Sequence, residues 1–350
     1  MPVYQDPKTK KYYFTCYYTD WQGQRRRKVK RGFVLARDAK EAEREFLSQY
    51  TTQSDMSFRA MYEIYMSDCK ARLKTGTYAN KESNFENSIL PFFEKLRICD
   101  ITPAHIRQWQ NKIMQQYKPT TQRQLHSQLS ALFNFAVKFY GLTRNPARIA
   151  GSIGEGKADT AQYWTLAEFN KVMECEKNLT FRAAHALIFY SGIRAGELLA
   201  MNVEDYDPAA KTISINKTLL RTHSVDHITT PKTKKSNRVI AIPTIAASLL
   251  DEYIGSLYDP RPGDRLFYSL NVRNLYYYLQ TAAKQAGVKP IRVHDLRHSH
   301  ASLLINNGVN IKAISERLGH DNIQTTLNIY AHIYEQQSKD IASLLDTLHG

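Results

Sequence analysis

One stretch limits the fold of this 350-residue chain more than any other: RNPARIAGSIGEGKADTAQ, at positions 144–162. Gly, Pro and polar residues dominate it, and such a composition neither extends a helix nor buries a strand. It therefore reads as an interdomain linker, and a single continuous core across it is excluded. A shorter polar stretch, TTQSDM at 51–56, reads as a second linker. Three regions result: a module at 1–50, a domain at 57–150 and a domain at 160–350.

The pattern of each region predicts its class. Residues 1–50 open with KKYYFTCYYTD, a turn WQGQ and then RRRKVKRGF, a hairpin with a third strand at its edge. ARDAKEAEREFLSQY, from Ala36 to about Tyr50, has helical spacing, which makes a small ββ(β)α module. The 57–150 region repeats apolar residues three and four apart and predicts four or five helices, with Thr102 as an N-cap, Pro103 at the first helical position and Gly141 as a C-cap. Nothing in it suggests catalysis. From Trp164 the pattern mixes helices and strands. Thr165 and Glu168 form a capping box, a helix breaks at Ser191-Gly192, and residues 211–243 alternate like two or three strands. The fold class is multidomain, mainly α with small β elements, ending in a mixed α+β domain with a tail helix.

Charge narrows the function. Forty-eight Lys and Arg against 33 Asp and Glu give +15 and a pI near 9.5, which favours a polyanion such as nucleic acid. The basic residues concentrate at Arg25, Arg26, Arg27, Lys28, Lys30 and Arg31. On a strand they alternate between faces, so at least one face is strongly basic. It reads either as a DNA-contacting surface beside Tyr and Trp, or as a charged edge strand that discourages aggregation. No apolar run reaches the roughly 20 residues that span a bilayer, and the N-terminus lacks a signal-peptide pattern, so a cytosolic protein without membrane contact is expected. Cys16, Cys69, Cys99 and Cys175 form no CxxC pair and read as reduced, structural thiols.

Five short phrases of the last region hold reactive side chains: Arg194 in GIRAGEL, Lys232 in PKTKKSNR, His294 and Arg297 in HDLRHSH, His320 after LG, and Tyr330 in NIYAH. Arg194 falls at a helix start, where backbone N–H groups favour an anion. Lys232, flanked by Lys234 and Lys235, falls in the turn of a predicted hairpin, and His294 and Arg297 share a helical face. A metal site at His294, His298 and His300 is disfavoured, because no Cys or patterned carboxylate completes it. Singly, each residue reads as surface or packing. Together they suit one reaction on a phosphodiester. Two arginines clamp the non-bridging oxygens, histidines donate hydrogen bonds and exchange protons, a lysine protonates the leaving 5′-oxygen, and a tyrosine attacks. That chemistry requires no metal and no cofactor.

The ordered phrases resemble the catalytic signature of the tyrosine recombinases, the phage and transposon integrase family, over roughly residues 160–335. The resemblance implies that Arg194 and Arg297 clamp phosphate, Lys232 is the general acid, His294 the acid/base histidine, His320 the second histidine and Tyr330 the nucleophile. Glu197, three residues after Arg194, matches an acidic position that orients the site. The 57–150 region resembles the family's core-binding domain and the 1–50 module its arm-binding domain, as in integrases of conjugative transposons and phages of Gram-positive bacteria. The implied partners are double-stranded DNA at core and arm sites, further copies in a tetramer on DNA, and an excisionase and DNA-bending proteins. The amphipathic stretch with Ile341, Leu344, Leu345 and Leu348 would dock on its own domain or on a neighbouring protomer. Two rivals predict otherwise: a catalytically inactive DNA-binding regulator would bind without cleaving, and a type IB topoisomerase would act on one duplex.

Overall fold

The computed structural model describes residues 3–7, 9–19, 25–52, 56–156, 162–222, 225–229, 237–320, 322–324 and 326–327. The chain divides into two compact units, Met1–Ala158 and Asp159–Gly350.

The first unit opens with an antiparallel sheet of β1 (Val3–Gln5), β2 (Tyr12–Thr19) and β3 (Arg25–Phe33), in that order, so the expected third strand precedes the hairpin. Helix α1 (Ala36–Thr52) covers one face and continues two residues past the expected end, into TTQSDM. Strand alternation sends Phe14 and Cys16 of β2 under this helix, where the Phe14 and Tyr18 rings meet Phe46 at 6.2 and 5.4 Å.

The helical part contains α2 (Phe58–Arg72), α3 (Thr75–Asn84), α4 (Leu90–Phe93), α5 (Pro103–Gln116), α6 (Pro119–Phe139) and α7 (Pro146–Ala150). That is six helices against the four or five expected. A π turn, Phe85–Ile89, leads from α3 into α4, ahead of Pro91, which has no N–H to continue an α ladder. Thr102 caps α5 as expected, with His105 closing the box.

The linker at 144–162 begins later than its composition suggests. Asn145 caps α7 by accepting from the Arg148 N–H at 3.0 Å, Pro146 takes the first turn, and Ala147 and Ile153 are buried. Arg107 and Gln110 of α5 each donate at 2.7 Å, to the carbonyls of Ala150 and Gly151. An Asn-Pro pair signals a turn and a helix start equally well, and packing against α5 selects the helix.

The second unit runs α8 (Leu166–Cys175), α9 (Leu179–Ser191), α10 (Ala195–Ala200), β4 (Tyr206–Asp207), β5 (Thr212–Ile215), β6 (Thr218–Thr222), β7 (Val225–Thr229), β8 (Arg238–Ala241), α11 (Thr244–Gly255), α12 (Val272–Gln285), α13 (Val293–Asn306) and α14 (Ile311–Leu318). Thr165 and Glu168 cap α8 reciprocally. Trp164 anchors its entry, donating from its indole to the Lys289 carbonyl at 2.8 Å and from its backbone to Ser299 Oγ at 2.9 Å. Helix α9 is apolar nearly all round and lies in the middle of the core, against α11, α12 and α13.

The described residues of 211–243 hold four strands, β5 to β8, where two or three were expected, and they split between two sheets: β4-β5-β8 and the hairpin β6-β7. The physical reason lies between β5 and β6. Asp205 accepts from Asn216 at 3.2 Å and pairs with Lys217 at 2.8 Å, which turns the chain out of the first sheet. The tight hairpin among the described residues is β6-β7, with Thr222 opposite Val225. Lys232, Lys234 and Lys235 themselves lie outside the described residues.

None of the four cysteines forms a disulfide. Among the described residues, no helix is long and apolar enough to cross a membrane.

Two buried histidines give the second unit an acid-sensitive core. Burial pushes His185, fully enclosed, down to about 4 and His300 down to about 3. Unfolded chain protonates such rings near 6.5. Below that pH the unfolded state binds protons that the folded state refuses, so stability is complete above about 6.5 and falls with acidification. Each ring is expected to cost up to about 1.4 kcal/mol per pH unit below that value. Urea denaturation at pH 7.5 and 5.0 measures this, and a His185→Asn variant that lost as much stability between the two pH values as the parent would refute the contribution of that ring.

Candidate active site

Helix α9 ends at Gly192, whose φ of 71° is left-handed, and a Cβ there would come within 2.6 Å of the His300 ring and 2.8 Å of Leu318. Only glycine serves both the turn and the close approach. Two residues later Arg194 forms the N-cap of α10. Its guanidinium pairs with Glu197 at 2.7 Å, and its backbone N–H donates to the other oxygen of that carboxylate at 2.9 Å.

Glu197 is 3 % exposed and also accepts from Arg238 of β8 at 2.9 Å. Burial alone would raise its pKa, but the hydrogen bonds and charges of Arg238 and Arg194 outweigh that and hold the carboxyl below its usual range. Gly196, between the two charged positions, matters for space alone: a Cβ would meet the Leu219 carbonyl and Thr218 Oγ1 at 2.8 Å. Strand β6 therefore lies directly on this helix.

His294 and Arg297 occupy the first turns of α13, as their spacing predicts. Arg297, 2 % exposed, donates at 2.7 Å to the carbonyls of Gly192 and of Leu318. One guanidinium thus ties the turn that carries Arg194 to the turn that carries His320. The His294 ring is exposed and meets His298 edge-on at 5.0 Å. Desolvation, then His298, Arg297 and Arg194 push its pKa down; water at the exposed ring moderates that push without reversing it.

Helix α14 stops at Gly319, with φ 69°, and His320 follows, donating to or accepting from Thr326 Oγ1 at 2.8 Å through Nδ1. Burial, followed by Arg297 and Arg194, pushes His320 to about 4. A neutral imidazole is therefore present at pH 7, able to donate one hydrogen bond and accept another. A cleft of about 590 Å³ opens beside it, lined by Lys312, Ser315, Glu316, Gly319, Asn322 and Ile323.

The structure thus gathers Arg194, Glu197, His294, Arg297 and His320 into one neighbourhood, although they are spread over more than 120 residues of chain. Lys232, Tyr330 and the stretch Ile341–Leu348 lie outside the described residues. Arg238 was not singled out from the sequence; its only signal was its place at the end of PKTKKSNR. Among the described residues, no group of three His, Cys, Asp or Glu side chains is placed to hold a metal ion.

The basic strand separates into two faces. Register with β2 places Arg25, Arg27 and Arg31 on the face away from α1, beside Thr15, Tyr13 and Tyr17. Arg25 lies 4.6 Å over the Tyr17 ring and Arg31 5.4 Å over Tyr13, which stacks on Tyr4 at 5.5 Å. Arg27 donates to Thr15 Oγ1 at 2.9 Å. Arg26, Lys28 and Lys30 point to the α1 side, where Lys28 lies 5.7 Å over the Phe46 ring.

Known proteins share sequence patterns and fold with this chain. The sequence pattern of an Arm DNA-binding domain matches residues 2–50, and that of a phage integrase N-terminal SAM-like domain matches residues 57–114. The chain is 28% identical over 327 residues to the ICEBs1 integrase of Bacillus subtilis, with 87% of each chain covered. Its fold is similar to that of the Tn1549 transposon integrase solved in complex with a circular intermediate DNA (TM-score 0.71, 19% identity, 83% of this chain and 99% of that one). It is also similar to that of the lambda integrase solved as a tetramer bound to a Holliday junction (TM-score 0.59, 17% identity, 92% and 96%). The pattern of the phage integrase family itself matches residues 162–337, half of the chain and the whole span that carries the gathered residues, and the chain belongs to that family.

Proposed function

We infer that this chain is a site-specific DNA recombinase that breaks and rejoins DNA to integrate and excise a mobile element. The observation that carries this reading is the convergence of Arg194, His294, Arg297 and His320, held by Arg297 on the Gly192 and Leu318 carbonyls. Two guanidiniums and two neutral-range imidazoles in one neighbourhood match the needs of a phosphodiester in transition, whose charge sits on non-bridging oxygens.

In the proposed reaction the Tyr330 phenol oxygen forms a bond to the scissile phosphorus and the bond to the 5′-oxygen breaks. His294 takes the phenol proton and Lys232 gives one to the departing oxygen. The product is a 3′-phosphotyrosyl bond and a free 5′-hydroxyl. A 5′-hydroxyl of the partner duplex then attacks that bond and releases the tyrosine. The bond energy is retained, so no nucleotide cofactor enters the balance. Two such rounds, in a tetramer on two duplexes, would pass through a Holliday junction. The 1–50 module would hold arm sites, the 57–150 domain would close on core DNA with the 160–350 domain, and the tail would dock on a neighbouring protomer. The sheet face with Arg25, Arg27 and Arg31 suits a major groove, and Arg26, Lys28 and Lys30 would reach flanking phosphates. Direction would depend on an excisionase and a DNA-bending protein, in the bacterial cytoplasm.

Incubation with a nicked suicide duplex, built on the paired repeats that flank the gene, tests the reading. The expected product is a protein–DNA adduct that survives denaturation, together with exchange between two such duplexes. Binding without an adduct would indicate a regulator. Relaxation of supercoils without exchange would indicate a topoisomerase.

A further inference from the structure

Among the described residues, Arg238 is a buried cation beside the gathered residues that the proposed reaction leaves without a task. Its side chain is 8 % exposed, and it makes two unlike sets of contacts. Through its terminal nitrogens it holds Glu197, at 2.9 Å from one carboxylate oxygen and 3.4 Å from the other. Through Nε it donates at 2.8 Å to the Arg317 carbonyl, in the last turn of α14. Gly319 leaves room for this: a Cβ there would come within 3.0 Å of the guanidinium. Glu197 in turn holds Arg194, and the α14 turn leads directly to His320.

We propose that Arg238 is a positioning residue for strand cleavage, one guanidinium that sets the Arg194 side chain through Glu197 and the His320 ring through the end of α14. The inference rests on the assignment of Arg194 and His320 to the phosphate. A planar fork with donors on three nitrogens can bind a carboxylate on one side and a carbonyl on another, whereas a lysine offers a single point of attachment. Removing the fork leaves Glu197 with Arg194 as its remaining partner in this set. Arg194 is then drawn toward the carboxylate and away from the phosphate.

The test combines Arg238→Met, Arg238→Lys and Glu197→Gln, read as the single-turnover cleavage rate at saturating suicide duplex, the Kd for that duplex and the urea midpoint. Displacement of reacting groups by an ångström costs on the order of 100-fold in rate. Arg238→Met is expected to lose about that much at saturation with Kd within about 3-fold, and Arg238→Lys to recover only part of it. Arg238→Met in a Glu197→Gln background is expected to lose far less than in the parent, because both act on Arg194 by one route. A normal rate at saturation with a lowered urea midpoint would reduce Arg238 to a structural role and overturn the proposal. Independent, multiplying effects of the two substitutions would overturn it too. If Arg238→Met does not fold, Arg238→Lys with Glu197→Gln decides the same question. Arg194→Lys serves as the reference: cleavage surviving that change would sink the assignment of the site itself, whereas its loss beside an unaffected Arg238 variant would sink this inference alone.

Discussion

Tyr330→Phe is expected to bind its core DNA with unchanged affinity and to form no covalent adduct. The substitution removes one oxygen from the ring, so the shape and apolar surface of the side chain are retained. What is lost is the oxygen proposed to form the phosphotyrosyl bond, and a missing nucleophile costs on the order of a thousand-fold or more, down to background. Trapping on the nicked suicide duplex reads the adduct, and a gel-shift titration of the intact duplex reads affinity. An adduct from the Phe variant would make another residue the nucleophile. The neighbouring Tyr334, four positions later, is then the first to replace.

The sequence exposed the local features of this chain well because their physics is local. A capping box at Thr165 and Glu168, a Thr-Pro helix start at 102–103 and a helix break at Ser191-Gly192 depend on backbone groups within one turn, and each was readable from its neighbours. So was the sharing of a helical face by His294 and Arg297. Features that depend on distant partners were not. The stretch after Asn145 looks like linker until α5 supplies donors for the Ala150 and Gly151 carbonyls. The 211–243 strands look like one sheet until Asp205 draws off Asn216 and Lys217. Arg238 had no pattern of its own, since what gives it meaning is a carboxylate 41 positions upstream. The basic strand is intermediate: alternation foretold two faces, but only the position of α1 decides that Arg25, Arg27 and Arg31 are on the open one.

The same distinction between local and distant partners separates the two arginines that the proposed reaction treats alike. Arg194 side-chain exposure is 37 %, and its partner Glu197 keeps Arg238 when it is gone. Arg194→Ala is therefore expected to fall to background in cleavage while losing no more than about 1 kcal/mol of stability, the scale of a half-solvated ion pair. Arg297 is 2 % exposed, and its removal takes a donor from two buried carbonyls and opens a space the size of a guanidinium in the core. Arg297→Ala is expected to lose cleavage equally and, in addition, roughly 3 kcal/mol of stability. Urea denaturation beside the suicide-duplex assay separates the two effects, because the first variant changes one readout and the second changes both. Equal stability losses would mean that Arg297 contributes no more to joining the Gly192 and Leu318 turns than Arg194 does, and the convergence of the site would need another cause. The loss expected for Arg297→Ala comes from groups it holds 105 and 21 positions away, so the residue that clamps the phosphate would also be the one that assembles the clamp.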